Sequence, residues 1–432
     1  MKEYTGDSTR ALHSGHVPDI ETGSRAVPIY QTTSYVFRST DHAADLFDLN
    51  EFGNIYTRLQ NPTNDVLEKR MAAIEGGSGA LMTSSGMAAI FLAITNICKA
   101  GDHFIASASL YGGTETLFRH TLPRFGIQAT FIPEITPEKV REAVRPETRL
   151  VFMETLGNPK GDVPDIAAVA DAAHRFGLPL FVDNTFCPII CKVFRHGADV
   201  CIHSLTKWIG GHGNSIGGII IDGGSFDWGC GRFPEFTTPD DSYHGIKYWE
   251  RFKEVPGMGN VAFVLKARLQ GMRNMGMCPS PMNAFLILQG LETLPLRIRA
   301  QCENALSLAK WLRAHPGVAW VNYTGLDEHP SHAAAARYLE GGYGAVLGFG
   351  IKGGCEAAKR LIDALSLTSH LANVGDAKTL AIHPASTTHR QLAPEAQASC
   401  GITPEFIRVS VGLEDIDDLK TDFSRAIEKA LP

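Results

Sequence analysis

The 432-residue sequence predicts an α/β protein, a mainly parallel sheet covered by helices on both faces and followed by a smaller C-terminal α+β domain. Three observations carry this reading. Short, continuously apolar runs recur between helical patterns, as in strands buried on both faces. Polar and glycine-rich residues cluster just beyond several of those runs, where open α/β sheets bind ligands. After residue 222 the rhythm changes, and the chain is longer than one core usually supports, so two domains are expected.

Taken in order, residues 1 to about 65 are rich in Thr, Ser, Pro and Asn and lack sustained periodicity. They predict an extended arm with at most short helices, which must dock on something to bury its apolar residues. Val66, Leu67, Met71 and Ile74 mark a helix that Gly76-Gly77 closes. Ala80-Leu81-Met82 is a short strand, and Gly86 opens a mostly apolar helix. Strands are predicted at 104–106, 129–132, 150–153, 180–182 and 200–202, with helices at 137–143 and 164–176. Gly218-Ile219-Ile220-Ile221 follows a Gly-rich turn and is expected to run antiparallel.

Residues 222 to about 260 form a polar, Gly/Pro/aromatic-rich insertion, of the kind that is usually functional or interfacial. Its Phe226, Trp228, Phe233 and Phe236 are expected to narrow the entrance to a site, if the segment lies there, or else to pack between subunits. A helical region near 261–315 precedes strand-like runs at 345–351, 379–382 and 406–411. The expected division is therefore an arm at 1–65, a ligand-binding domain at 66–280 and a C-terminal domain at 281–432.

Composition narrows the function classes. A net charge of -6 gives no electrostatic reason to bind nucleic acid or an anionic membrane. No run of eighteen apolar residues predicts a membrane span, and the start of the chain lacks the apolar core of a signal peptide, so a cytoplasmic location is expected. Nine cysteines, from Cys98 to Cys400, read as mostly buried free thiols. No cysteine or histidine spacing indicates a metal site.

The residues beyond the strand ends carry the chemistry. Asp183 ends an apolar run, where a charge needs a partner. Lys207 lies just beyond the next strand, between Ser204-Leu205-Thr206 and Trp208-Ile209-Gly210-Gly211. The pair reads either as a structural ion pair or as a lysine that forms an imine with an aldehyde cofactor, opposite a carboxylate that keeps the ring nitrogen protonated. Ser85-Gly86-Met87 sits where a strand turns into a helix, whose free N–H groups suit a phosphate. The hydroxyls of Ser204 and Thr206 lie close to Lys207 in sequence, and Tyr111 is placed either to stack on a flat ring or to pack in the core.

In order along the chain, Tyr56 to Thr63, Ser84 to Ala88, Leu110 to Thr114, Asp183 to Phe186, His203 to Lys207, Val374 to Asp376, His383 to His389 and Ile407 to Gly412 together resemble the Cys/Met-metabolism family of pyridoxal-phosphate enzymes, of the aspartate-aminotransferase fold (fold type I). The ordered set spans essentially the whole chain and is far more specific than any member. The resemblance implies pyridoxal 5'-phosphate as cofactor, with Lys207 as its Schiff-base lysine and Asp183 as the partner of the ring nitrogen. It implies that Tyr111 stacks on the ring, and that Ser85, Gly86, Met87, Ser204 and Thr206 hold the phosphate. Asn158 would contact the ring oxygen or the substrate, Arg408 the substrate carboxylate, and Asn373 the substrate. Tyr56, with a catalytic role, and Arg58, whose guanidinium would contact the phosphate, would both reach the cofactor in a neighbouring subunit's site, in a homotetramer built of catalytic dimers.

Within the family, chain length, the insertion after 222, Gly113 in the place of a cysteine, and the segment 371–378 are nearest to the sulfhydrylase branch. That branch implies γ-replacement of the acetate of O-acetylhomoserine by sulfide, in methionine biosynthesis. A γ-synthase using cysteine and a γ-lyase remain alternatives. A non-catalytic binder is disfavoured, because it has no need for both Lys207 and Asp183.

Overall fold

In the computed structural model, residues 4–388, 390, 393, 397 and 401–431 are described. The larger sheet has seven strands: β1 (Gly79–Thr83), β2 (His103–Ser107), β3 (Gln128–Ile132), β4 (Thr148–Glu154), β5 (Leu180–Asp183), β6 (Val200–Ser204) and β7 (Gly218–Asp222). Their order is β1-β7-β6-β5-β4-β2-β3, and only β7 runs against the others. Its antiparallel direction is as the sequence predicts.

The continuous apolar runs follow from burial on two faces. Alternate residues of a strand point to opposite sides. Ile105, Val151, Val182 and Cys201 pack on one side with the helices Pro62–Glu75, Ile166–His174 and the N-terminal half of Pro281–Ala314. Phe104, Phe152, Phe181 and Ile202 pack on the other with the helix Gly86–Thr95.

The insertion joins this second layer. Trp228, Phe233 and Phe236 are fully buried, and Trp228 stacks between Phe236 and Phe263 at 5.0 and 4.8 Å. Phe263 in turn meets Phe181 of β5 at 5.5 Å. The expectation that these aromatics narrow an entrance or fill a subunit contact is therefore corrected: they complete the chain's own core. Aromatic rings spaced irregularly among glycines and prolines carry no period, so their burial is invisible in the sequence.

The smaller sheet has five strands, β8 (Val318–Asn322), β9 (Val346–Ile351), β10 (Ser369–His370), β11 (Leu380–Ile382) and β12 (Phe406–Ser410), in the order β10-β11-β12-β9-β8. Both β8 and β10 escape the sequence pattern, since only Val318 of β8 is buried and β10 has two residues. Leu347, Phe349, Ile407 and Val409 form the core face, under the helices Gly354–Ala364 and Ile416–Ala430. Arg408 and Ser410 therefore point the other way, toward the large sheet.

The helix Pro281–Ala314 belongs to both layers. Ile287, Leu288 and Leu291 pack with the large sheet, and Ala305, Leu308 and Leu312 with the small one. At its crossing over the turn after Lys207, Gly290 lies so close that a Cβ would stand 1.9 Å from the Gly210 carbonyl oxygen.

The first helix of the arm, Asp7–His13, docks on its own chain: Ala11 is fully buried, and Lys192 Nζ donates to Asp7 at 3.0 Å. Val17, Ile20 and Val36, further along, find no cover there and are 62%, 94% and 97% exposed.

An alanine in place of a helical glycine ordinarily stabilises by about 0.5–1 kcal/mol. Gly290→Ala is expected to do the reverse and lower Tm, because backbone cannot yield to a contact this short. Thermal denaturation of the two proteins checks this, and a variant melting at or above wild type contradicts the close crossing.

Candidate active site

The C-terminal ends of β1, β2, β4, β5 and β6 lie along one edge of the large sheet, and the turns beyond them bring the sequence-predicted residues together. The turn after β1 leads through Ser85 into the helix Gly86–Thr95. Ser85 Oγ accepts the Ala88 N–H at 3.1 Å and so caps the helix. The N–H groups of Gly86 and Met87 precede the first intrahelical bond and stay free for an anion. A Cβ on Gly86 would meet Cβ of Ser204 at 2.7 Å, so glycine is what lets this helix start approach the end of β6. Thr206 Oγ1 both donates to the Gly217 carbonyl and accepts its own partner's N–H, each at 3.2 Å. Its hydroxyl proton must turn away from Gly217 to serve a phosphate.

Lys207 is held from two sides. Its N–H reaches Ser204 O at 3.3 Å, and its carbonyl accepts the Gly211 N–H at 2.7 Å. Arg297, from the long helix, ties the same turn through Ile209 O at 3.3 Å and its own helix through Gly290 O at 2.7 Å. From the side of the small sheet, the Ala377 N–H donates to Gly211 O at 2.8 Å, and Gly375 donates to Ser410 Oγ at 2.9 Å. A Cβ on Gly375 would stand 2.5 Å from the Trp208 nitrogen. This packing delivers Asn373, whose Oδ1 accepts a hydrogen bond from Lys207 Nζ at 2.5 Å. Burial, aided by the Arg408 charge, pushes the Lys207 amine down to about 8.

Asp183 is the buried last residue of β5 and accepts the Thr185 N–H at 3.0 Å. Burial raises its pKa, against hydrogen bonds from Thr185 and the charge of His203. Thr185 Oγ1 also accepts the Ser204 N–H at 2.8 Å and so ties the ends of β5 and β6 together. Arg408, on β12, lines a cavity with Asn158, Phe186 and Gly348. Burial lowers its pKa to about 10, opposed by Tyr111, which leaves the guanidinium charged at neutral pH. A larger cleft of about 650 Å³ opens beside Thr206 and Asn373.

Among the described residues, neither Lys207 nor Asp183 nor Arg408 has an ion-pair partner. The reading of Asp183 and Lys207 as a structural ion pair therefore does not hold. Charges withdrawn from water without partners are costly, and a buried Asp183 with half-buried Lys207 and Arg408 around one site suits a ligand that supplies the opposite charges. Together with the open helix start at Gly86, they fit a cofactor that combines a phosphate, a protonatable ring nitrogen and an aldehyde.

Tyr111 is half exposed, and its ring lies over Gly113, where a Cβ would meet it at 2.5 Å. Tyr56 and Arg58 stand apart from this cluster. Arg58 donates to the Arg273 carbonyl, its guanidinium sits 5.4 Å from the Tyr56 ring, and no contact among the described residues joins either to Lys207, Asp183 or Arg408.

The sequence marks Glu154 and Thr185 as polar residues at strand ends but assigns neither a role, and it does not show that Asn373 meets Lys207. Nor does it show the grouping of buried Glu75, Cys201 and His203, whose ligand atoms lie within 4.8 Å of one another. His203 Nε2 stands 3.2 Å from Glu75. Burial pushes the Glu75 carboxyl up, but His203 and Lys192 outweigh it and bring the pKa down, while burial holds Cys201 as a thiol. The group is a carboxyl beside an imidazole and a thiol. Two residues of the sequence reading, His389 and Cys400, fall outside the described residues.

A fold-type-I sheet with a lysine, a carboxylate and a helix start at its C-terminal edge defines a pyridoxal-phosphate enzyme. The chain belongs to the Cys/Met metabolism PLP-dependent enzyme family, whose sequence profile matches residues 8–428, and its cofactor is pyridoxal phosphate. It is 57% identical over 424 residues to an O-acetyl-L-homoserine sulfhydrylase of Leptospira meyeri, covering 97% of this chain and 96% of that protein. It is 51% identical to a homocysteine synthase of Schizosaccharomyces pombe, covering 98% of each. A crystal structure named for an O-acetylhomoserine (thiol)-lyase of Campylobacter jejuni, with a pyridoxyl-lysine, superposes with a TM-score of 0.93 at 39% identity and covers 98% of this chain and 100% of that one.

The lowered lysine pKa gives a direct test. Only a neutral amine attacks an aldehyde, so the rate at which apoenzyme takes up pyridoxal phosphate covalently is expected to rise with pH and level off above a midpoint near 8. Rapid-mixing absorbance across pH ~6 to ~10 measures it; a midpoint near the ordinary lysine value of about 10.4 contradicts the desolvated setting.

Proposed function

We propose that this protein converts O-acetyl-L-homoserine and sulfide to L-homocysteine and acetate, in methionine biosynthesis. The observation that carries the reading is the set of unpaired charges, Lys207, Asp183 and Arg408, in a chain whose similar curated proteins are named for this activity. Overall, the Cγ–O bond breaks, acetate leaves with the electron pair, and a Cγ–S bond forms to the incoming sulfide.

Bound pyridoxal phosphate supplies an electron sink for bond breaking at the substrate carbons. The chain's residues do the rest. Asp183 holds the proton on the cofactor's ring nitrogen, and that cation returns the carboxylate to its charged form. The N–H groups of Gly86 and Met87, with the hydroxyls of Ser85, Ser204 and Thr206, hold the phosphate. The Arg408 guanidinium grips the substrate carboxylate in its planar fork, and Asn158 contacts the ring oxygen or the substrate from the same cavity. Asn373 aims the Lys207 amine and then contributes to the substrate site. Lys207, once free, takes the proton from Cα; an amine with a pKa near 8 is a competent base at neutral pH. Tyr111 covers the ring and takes part in proton movement.

Sulfide is favoured over cysteine because it brings no carboxylate or ammonium that needs a partner. Among the described residues of one chain, Arg408 is the only charged residue lining its cavity, the larger cleft has none, and the neighbour's Arg58 is assigned to the phosphate. A second amino acid would therefore desolvate its carboxylate without a clamp. With O-acetylhomoserine held constant, kcat/KM for homocysteine formation from sulfide is expected to exceed that for cystathionine formation from cysteine by tenfold or more, about 1.4 kcal/mol in barrier. Equal or faster cystathionine formation would make the protein a γ-synthase.

We further infer a cytoplasmic homotetramer of catalytic dimers, with the division at 1–65, 66–280 and 281–432. In it, Tyr56 and Arg58 of each subunit complete a neighbour's site. Support comes from the exposed Val17, Ile20 and Val36 of the arm and from the contacts of Arg58, which among the described residues are to the Arg273 carbonyl and the Tyr56 ring and not to its own chain's cluster of charges. Arg58→Ala and Lys207→Ala subunits, each inactive alone, are expected to regain activity when mixed, because one site of each mixed dimer then has both residues. No activity after verified subunit exchange contradicts a shared site.

A further inference from the structure

A buried carboxyl beside Asp183 has no part in the mechanism above. Glu154 is the last residue of β4, and Asp183 is the last of β5; the two are register partners on adjacent parallel strands. Register partners project from the same face, and adjacent strands stand about 4.8 Å apart. Two carboxylates thus share one buried edge. Glu154 Oε1 accepts the backbone N–H of Tyr111 at 2.6 Å. That bond crosses from the end of β4 to the turn after β2 and fixes the residue that begins the helix Gly112–Thr116. Among the described residues the Tyr111 side chain makes no helix-capping bond, and the residue is 52% exposed with its ring over Gly113.

We propose that Glu154 is a positioning residue: as an uncharged, protonated carboxyl it fixes Tyr111 over the cofactor ring and leaves Asp183 as the single negative charge beneath the ring nitrogen. The charge balance around it points the same way. Burial is the leading influence, and the charged groups that bear on Glu154, Asp183 across the ladder and Asp162 in the loop that follows, are both acids; only the Tyr111 N–H favours the ionised form. Glu154 therefore stands well above the usual carboxylate range. Two like charges side by side in a desolvated site do not both persist, and one proton settles on the group without a cation opposite. Asp183 gains the ring nitrogen as a partner, and Glu154 gains none. The proton also lets the neutral acid keep its carbonyl oxygen for the Tyr111 N–H.

The inference rests on the cofactor site proposed above, and the two fail differently. Wild-type protein that binds no pyridoxal phosphate overturns the site itself, whereas the role of Glu154 is decided by comparing variants of a wild type that does bind. Glu154→Gln, a neutral isostere that keeps the acceptor, is expected to leave the holoenzyme's visible absorbance titration within about 0.3 pH units of wild type. The cofactor dissociation constant should stay within about twofold, roughly 0.4 kcal/mol. Glu154→Ala frees the Tyr111 N–H and is expected to weaken cofactor binding about tenfold or more. An infrared difference spectrum of wild type against Glu154→Gln should carry the C=O band of a protonated carboxylic acid. A titration displaced by a full pH unit in Glu154→Gln, or the absence of that band, would show that Glu154 is ionised. Unchanged cofactor affinity in Glu154→Ala would show that it positions nothing. Should Glu154→Ala fail to fold, the titration and the infrared band of Glu154→Gln still decide the protonation state, and its dissociation constant decides whether a neutral acceptor is enough.

Discussion

The active-site edge is organised by charges left without protein partners. Several ionic groups of the interior are paired with an opposite charge: Lys192 with Asp7, Glu68 with Arg268, Asp102 with Arg149. Lys207, Asp183 and Arg408 are not. Leaving such groups unpaired is unfavourable for the empty protein, and the surrounding structure must hold them apart against their tendency to relax. That requirement accounts for the density of backbone bonds around Lys207. The turn is tied to β6, to the long helix through Arg297, and to the segment 373–377 from the small sheet. Each tie restrains an amine that would otherwise swing to water.

The same ties explain why two sheets are needed. The large sheet supplies the lysine, the carboxylate and the helix start, all along one strand edge. Arg408 and Asn373 come from the small sheet, and the helix Pro281–Ala314 runs through the cores of both. Gly290, Gly210 and Gly375 lie along the seam, where backbones approach too closely for a Cβ. The cavity around Arg408 thus has walls from each side, including Asn158 from the turn after β4 and Gly348 from β9.

Much of this is legible in the sequence, and the losses have definite causes. The strands of the large sheet are visible as unbroken apolar runs, which burial on both faces forces in all but the edge strand β3, where only Ile132 is buried; the direction of β7 follows from the glycine-rich turn before it. By contrast, β8 has one buried residue and β10 is too short to show a period. The aromatic insertion misleads because Trp228, Phe233 and Phe236 reach the core from irregular backbone. In the site, Lys207 and Asp183 stand out as polar residues abutting apolar strands. Glu154 does so too, yet nothing in a linear sequence says that its carboxylate turns to the N–H of a residue 43 positions earlier. The pairing of Lys207 with Asn373, 166 positions later, is of the same kind. Local patterns identify which groups must be satisfied; only the fold decides by what.

The choice of nucleophile follows from what the site lacks. In the proposed site one guanidinium serves one carboxylate and the Arg58 that a neighbour would supply serves the phosphate, while among the described residues the lining of both cavities offers no further cation. The insertion does not alter this, because its rings are committed to the core and its Arg232 is bound to the Thr148 carbonyl at 2.7 Å. Discrimination against an amino-acid nucleophile therefore needs no steric barrier. It is enough that desolvating a carboxylate and an ammonium goes uncompensated, while a sulfide ion, small and without binding groups, has only its own charge to shed. Specificity here resides in an absent contact, so adding a cation to the cleft beside Thr206 and Asn373 is the change that would move it.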